Sequence, residues 1–234
     1  MILNLASWNA TGIMTGIPYL IELLHEKSIG VCGISEHWLL PSNANILNSI
    51  DGEYVSYTKT VCSSNQLNGR SYGIGGVSII WKKSLEKYIQ TIEIDSDRII
   101  AIKLCNSNIS ILVVQIYLPS SNHSLAEYKD EVDTLYDLCS LHADTSDIVI
   151  LGDFNGNFYR NVTSGLTSRN QYLENFRKDL GLTGRTPPCA GIENSPMRVL
   201  RHLPVFISLI KNVTVDFGPE LHEHSETYRR ITFS

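Results

Sequence analysis

Four short, almost unbroken apolar runs organise the chain, and each closes on a polar side chain. Residues 2–8 end in Asn9, 29–35 in Glu36 and 109–116 in Tyr117, while Ile148-Val149-Ile150-Leu151-Gly152 runs into Asp153-Phe154-Asn155. Runs this short and this apolar predict strands buried on both faces. Between the first two, Ile17, Leu20, Ile21 and Leu24 recur at helical spacing with Pro18 in the first turn, so a helix is predicted over 17–27. Strand, helix, strand is the βαβ signature. After Glu36 a polar loop rich in Ser and Asn leads to β-like segments at 53–58, 73–81, 89–94, 98–104 and 109–117. Turns as short as Cys105-Asn106-Ser107-Asn108 make some of these antiparallel neighbours.

Ser124 with Glu127 three positions on forms a capping box. It opens a helix to about Leu141 whose inner face carries Leu125, Tyr128, Val132, Leu135 and Leu138 or Cys139. A second helix is predicted over 171–180, stopped by Gly181. Over 183–201, Gly184, Pro187, Pro188, Gly191 and Pro196 break any periodicity, and only 203–210 returns to a strand-like pattern. With no repeat and no dividing linker, 234 residues fit one large domain. The expected fold is α/β, a four-layer sandwich of two mixed β-sheets flanked by helices, with a shortened or irregular C-terminal part. The domain is expected over 1–215. Residues 216–234, which include Glu220, His222, Glu223 and His224, are expected to be a polar, solvated tail.

Hydrophobic content of 43% and 18% charge belong to a globular chain. The formal net charge of −5, from 19 basic and 24 acidic residues, means that any basic face for nucleic acid must be local. Five widely spaced cysteines form no CxxC pair, and Cys32, Cys105 and Cys139 lie inside apolar segments, as buried thiols do. The N-terminus lacks the basic start and unbroken apolar stretch of a signal peptide. No run approaches the ~18 apolar residues of a membrane span. An intracellular setting, nuclear or cytoplasmic, is expected, with no membrane partner.

Strands that each release a carboxylate, amide or phenol would gather those groups on one rim of a sheet if they are neighbours. Such groups suit a hard divalent cation and a phosphate ester. Asp153 and Asn155 are two apart, so in an extended backbone both point to one side. The carboxylate can orient or deprotonate a water, and the amide can donate to a phosphoryl oxygen. The alternative is an Asx turn whose side chains cap the backbone. A single glutamate such as Glu36 suits Mg²⁺, which keeps several waters and asks for one or two protein carboxylates. Asn9 is suited to positioning that glutamate or a phosphate, and Tyr117 to donating to a phosphate oxygen. A turn residue and an ordinary interfacial tyrosine are the plainer readings of these two. His37 has no partner fixed by the sequence.

Taken in order, Ser7-Trp8-Asn9, Ile34-Ser35-Glu36-His37-Trp38-Leu39, Gly73-Ile74-Gly75-Gly76-Val77, Gln115-Ile116-Tyr117-Leu118-Pro119 and Gly152-Asp153-Phe154-Asn155 resemble the successive motifs of the endonuclease/exonuclease/phosphatase superfamily. Within it they are most similar to the apurinic-endonuclease-like domain of non-LTR retrotransposon polyproteins, from about Leu3 to Leu182. The resemblance implies that Glu36 ligates Mg²⁺ or Mn²⁺ with Asn9 helping at the metal site. It implies that Tyr117 contacts the scissile phosphate, Asp153 aligns the attacking water and Asn155 binds the phosphoryl oxygens. It implies a DNA substrate, a place within a longer retroelement polyprotein and a monomer. Leu200-Arg201-His202-Leu203-Pro204-Val205-Phe206 resembles the final motif with only the histidine kept. His202 would then stabilise the phosphate or assist proton transfer, without its usual aspartate partner and beside Arg201.

The leading expectation is therefore a divalent-metal phosphodiesterase that cuts DNA. A catalytically silent remnant is a second expectation, since each lost electrostatic contributor typically costs ~10²–10³ in rate. A phosphatase of a small phosphorylated molecule or lipid is a third. A basic stripe on the rim from Arg70, Lys82, Lys83, Arg160 or Arg169 would favour the polymer.

Overall fold

A computed structural model of the chain describes residues 2–65, 70–107, 109–156, 168–185, 208–211, 214–216 and 227–232. The apolar runs become strands as expected: β1 (Ile2–Asn9), β2 (Val31–Ser35), β9 (Ser110–Tyr117) and β10 (Asp147–Asp153). Helix α1 (Ile17–Glu26) links β1 to β2, and α2 (Leu125–His142) links β9 to β10. Each helix returns the chain so that its two strands run parallel, giving two βαβ units. Around them lie β3 (Tyr54–Lys59), β4 (Cys62–Asn65), β5 (Arg70–Gly73), β6 (Val77–Lys82), β7 (Ile89–Ile92) and β8 (Ile99–Cys105). Helix α3 (Ser168–Asp179) and the short strands β11 (Thr183–Arg185), β12 (Ser208–Lys211), β13 (Thr214–Asp216) and β14 (Thr227–Thr232) complete the chain.

The strands form two mixed six-stranded sheets, ordered β13-β14-β1-β2-β6-β3 and β11-β12-β10-β9-β8-β7, plus the β4-β5 hairpin. Their facing surfaces bury Leu3, Leu5, Val31 and Ile79 against Ile102, Val113, Val149 and Leu151. On the outer face of the first sheet, Leu20 and Leu24 of α1 pack on Ala6, Ile34 and Ile80. On the outer face of the second, Val132 and Leu135 of α2 and Phe176 of α3 share a core with Leu112, Val114 and Ile148. Helix, sheet, sheet, helix is the four-layer sandwich, and the strands covered on both sides are those that read as unbroken apolar runs. The Ser124 capping box forms as predicted, with Ser124 Oγ accepting from Glu127 N–H at 3.1 Å.

Three expectations are corrected. The segment 73–81 is not one strand: Gly75 and Gly76 adopt φ of 55° and 81°, which ends β5 and starts β6 in a new direction. The rim is not that of one sheet, because β1 and β2 belong to the first sheet and β9 and β10 to the second. The stretch 216–234 is not wholly a solvated tail, since β14 pairs antiparallel with β1 from Ile2↔Thr232 to Ser7↔Thr227. Left without β14, β1 would present unpaired backbone groups along that edge. The alternating Thr227-Tyr228-Arg229-Arg230-Ile231-Thr232 has the β-branched and aromatic content of a strand. Residues 220–224 lie outside the described residues.

The strand end that carries Asp153 is anchored from α2, where the fully buried Tyr128 donates to the Phe154 carbonyl at 2.8 Å. Tyr128→Phe should lower unfolding free energy by roughly 1–3 kcal/mol by stranding that carbonyl. Urea denaturation followed by far-UV circular dichroism measures the loss.

Candidate active site

Along each inward-facing strand surface, apolar residues give way to polar ones at the same height, because side chains on one face recur every second position. On β1 the series is Leu3, Leu5, Ser7, Asn9; on β2 it is Val31, Gly33, Ser35; on β9 Ile111, Val113, Gln115, Tyr117; on β10 Val149, Leu151, Asp153. Parallel pairing sets Asn9 beside Ser35 and Tyr117 beside Asp153. One level below the rim, Ser7 Oγ donates to Gln115 Oε1 at 3.2 Å and Gln115 Nε2 donates to Ser35 Oγ at 2.7 Å. Ser35 Oγ in turn donates to the Ile116 carbonyl at 3.1 Å. This buried chain ties the two sheets together directly beneath the site. Gly33 makes room for it, since a Cβ there would lie 1.9 Å from Gln115 Oε1.

At the rim, Asn9 Nδ2 donates to Glu36 Oε1 at 2.7 Å, and the Tyr117 hydroxyl donates to the same carboxylate. Asp153 is close enough for Glu36 to repel its charge. Burial first, and then the Glu36 charge, push the Asp153 carboxyl up to about 6, although it accepts the Asn155 N–H at 2.9 Å. The Tyr117 phenol is raised well above its usual value by burial and then by Glu36, while Arg98 acts the other way. Tyr117 is therefore a neutral hydrogen-bond donor at physiological pH. Among the described residues no cationic side chain forms an ion pair with Glu36 or Asp153. Glu36 and Asp153 are the groups able to hold a cation here, and no cluster of three or more metal-ligating His, Cys, Asp or Glu occurs among the described residues. Among the described residues five non-glycine residues have positive φ, and four of them, Thr11, Glu36, Trp38 and Asn155, lie in the loops after β1, β2 and β10. Strained backbone concentrated at one place is a mark of functional sites.

Asn9, Glu36, Tyr117, Asp153 and Asn155 are thus brought together. The Asn9 oxygen accepts from both Thr11 N–H and Thr11 Oγ at 3.2 Å, so its N–H group faces the site and it steadies Glu36 rather than offering an oxygen to a metal. Asn155 leaves the extended path at φ 44°, and its amide donates to the Leu118 carbonyl at 2.7 Å. The Asx turn is present, and its amide nitrogen carries two N–H groups of which Leu118 takes one. His202 lies outside the described residues. His37 is buried with Nδ1 accepting from Leu39 N–H and Nε2 meeting the Lys59 carbonyl, both at 3.0 Å. Burial lowers its pKa, so it is a neutral structural histidine.

The expected basic stripe is not assembled among the described residues. Lys82 ends β6 and Lys83 follows it, at the far end where Trp81 pairs with Val31. The Arg169 guanidinium is held by the carbonyls of Pro119 and Ser120 at 2.7 Å and of His123 at 2.5 Å. Arg70 belongs to the β4-β5 hairpin, and Arg160 lies outside the described residues. Two residues escaped the sequence reading. Gln115 was signalled by being the one amide within an apolar strand, in phase with Tyr117. Arg98, 5.7 Å from the centre of the Tyr117 ring, is visible only once β8 is known to pair with β9.

The chain is similar in structure to the 3′ phosphatase NExo from Neisseria bound to product DNA hairpin, with a TM-score of 0.60, 15% identity and 99% of each chain covered. It is similar also to humanized TDP2 of D. rerio carrying 14 mutations, with a TM-score of 0.62, 13% identity and 99% of each chain covered. No family model and no curated protein matches the chain by sequence. At these identities the likeness is one of fold, two mixed β-sheets flanked by helices. In this sandwich both βαβ units send side chains to the Glu36 carboxylate, Asn9 from one and Tyr117 from the other. Among the described residues no helix is long and apolar enough to cross a membrane.

Asp153 is an acid raised above the ~3.9 of a free aspartate, so ionising it above about pH 6 opposes folding. Below both values it is protonated folded or unfolded, and the penalty is absent. In EDTA, Asp153→Asn should therefore raise the melting temperature at pH 7.5, and the gain should vanish near pH 4. Scanning fluorimetry across that range measures it.

Proposed function

We propose that the chain is a divalent-metal-dependent phosphodiesterase that cuts DNA, of the retroelement endonuclease type. The observation that carries the reading is the convergence of Glu36 and Asp153, unpaired with any described cation, with Asn9 and Tyr117 at the facing ends of two parallel strand pairs. Two neighbouring carboxylates without a cationic partner suit a hard dication that keeps most of its waters. Glu36, steadied by Asn9, would hold Mg²⁺ or Mn²⁺, which supplies Lewis acidity and charge neutralisation when bound. Asp153, buried beside Glu36, would orient a water and accept its proton. As that water attacks phosphorus in line, the bond to the 3′ oxygen breaks, leaving 3′-hydroxyl and 5′-phosphate ends. Tyr117 and Asn155 donate to the phosphoryl oxygens as charge builds on them. A part for His202 in proton transfer rests on the resemblance of its motif.

A second reading, a phosphatase of a small phosphate ester, is favoured by the charge on the rim. Lys59, at the site end of β3, donates to the carbonyls of Ile94 and Ser96 and feels the charges of Glu93, Asp95, Asp97 and Glu131. Acids there repel a polyanion more than a small ester.

With Mg²⁺, the protein should nick supercoiled plasmid. Glu36→Ala and Asp153→Asn should each fall at least ~10²-fold, and EDTA should abolish nicking. Equal nicking by all three proteins excludes the reading. Turnover of a small phosphomonoester without plasmid nicking selects the phosphatase, and neither activity selects a catalytically silent domain.

A further inference from the structure

We propose that Trp38 is a substrate-binding residue that stacks a nucleobase next to the phosphate contacted by Tyr117. The inference rests on the DNA reading above and names how the strand beside the reacting phosphate is gripped. Of the three tryptophans, Trp8 and Trp81 are 9% and 6% exposed, whereas Trp38 is 44% exposed. It follows Glu36 by two positions, in the loop beyond β2.

The ring is held for a purpose that packing does not explain. Trp38 has φ 55°, a left-handed conformation costly for a bulky residue. Its N–H donates to the Gly75 carbonyl at 3.1 Å, and the neighbouring His37 carbonyl accepts Ile13 N–H at 3.1 Å. The indole lies against Gly12, where a Cβ would come within 2.8 Å of its Cε3. On the far side of the same loop, a Cβ on Gly75 would sit 3.4 Å from the Tyr117 ring. Backbone bonds thus lace three loops around the pocket and lock the indole open to solvent rather than folding it inward. Met14 and Ile74, on the other two of these loops, are exposed as well, at 54% and 41%, which makes this lip the apolar part of the rim.

A rigid, half-exposed aromatic ring beside a phosphate site suits an unpaired base. Every base has a π-face, and stacking on an aromatic side chain binds single strands with little sequence preference. It also supplies affinity that a chain of net charge −5 needs where no basic stripe is assembled among the described residues.

Labelled oligothymidylate, and the same backbone with abasic residues, would be titrated against wild type, Trp38→Phe, Trp38→Leu and Trp38→Ala, following anisotropy. Acrylamide quenching of wild-type tryptophan emission would be measured alongside. Oligothymidylate should shield the exposed tryptophan. Trp38→Ala and Trp38→Leu should weaken its binding about tenfold, Trp38→Phe should restore most of it, and the abasic strand should bind all four proteins alike. Equal binding of oligothymidylate by wild type and Trp38→Ala, or a leucine as good as phenylalanine, overturns the inference. All these readouts are of binding. Nicking without shielding of Trp38 therefore retains the nuclease reading and removes this one, while shielding without nicking does the reverse.

Discussion

Two pairs of parallel strands that end at the same height are the constraint on which everything else in the molecule depends. β1 with β2, and β9 with β10, each run in from one helix crossover, and their registers bring Asn9 level with Ser35 and Tyr117 level with Asp153. Neither pair holds a complete site. Glu36 and Asn9 come from one sheet, Tyr117, Asp153 and Asn155 from the other, so the chemistry depends on how the two sheets are set against each other. Apolar packing alone sets that relation loosely, since it is non-directional. The Ser7, Gln115 and Ser35 hydrogen bonds supply direction just below the pocket, and a fully satisfied buried polar network rigidifies the structure around it.

The pocket is also where the molecule departs from its own local rules. Thr11, Glu36, Trp38 and Asn155 hold backbone conformations that side chains disfavour, and Asp153 is buried without a cationic partner among the described residues. Each feature opposes folding, and each lies on the strand ends rather than in the layers. The three apolar cores, one between the sheets and one outside each, offset that cost. Strain and unneutralised charge placed together on an otherwise regular scaffold describe a site built to receive something, and stability sacrificed for such a site is the usual compromise in enzymes.

How much of this was legible beforehand follows from which interactions are local. The strands buried on both faces announce themselves by composition, and α2 by a capping box whose two residues are three apart. Asn9, Glu36, Tyr117 and Asp153 could be picked out because each terminates such a strand. What pairs with what could not be read: β14 is polar and remote in sequence, and nothing local says that it covers the edge of β1. Arg98 stands beside Tyr117 through the β8-β9 pairing. The direction in which Asn9 presents its amide is decided by Thr11, through a turn whose left-handed residue has no strong sequence marker. Gly33 and Gly76 sit where Gln115 and His37 need space, a close approach that only the folded chain reveals.

The electrostatics of the rim bear on how a polyanion could be held at all. A protein that binds DNA by neutralising many phosphates releases counterions and loses affinity steeply with salt. Among the described residues, Lys82 and Lys83 face away from the pocket's end of the sheet, Arg169 is spent on carbonyls, and Lys59 lies amid acids. Arg98 lies 5.7 Å from the centre of the Tyr117 ring and meets His123. On the proposed reading, attraction is therefore concentrated at one metal-held phosphate and one stacked base rather than spread along the duplex. Grip of that kind favours strands whose bases are already unpaired, since opening a duplex to present a base costs energy that few phosphate contacts are there to offset. Local substrate shape, more than charge, then governs what this pocket admits.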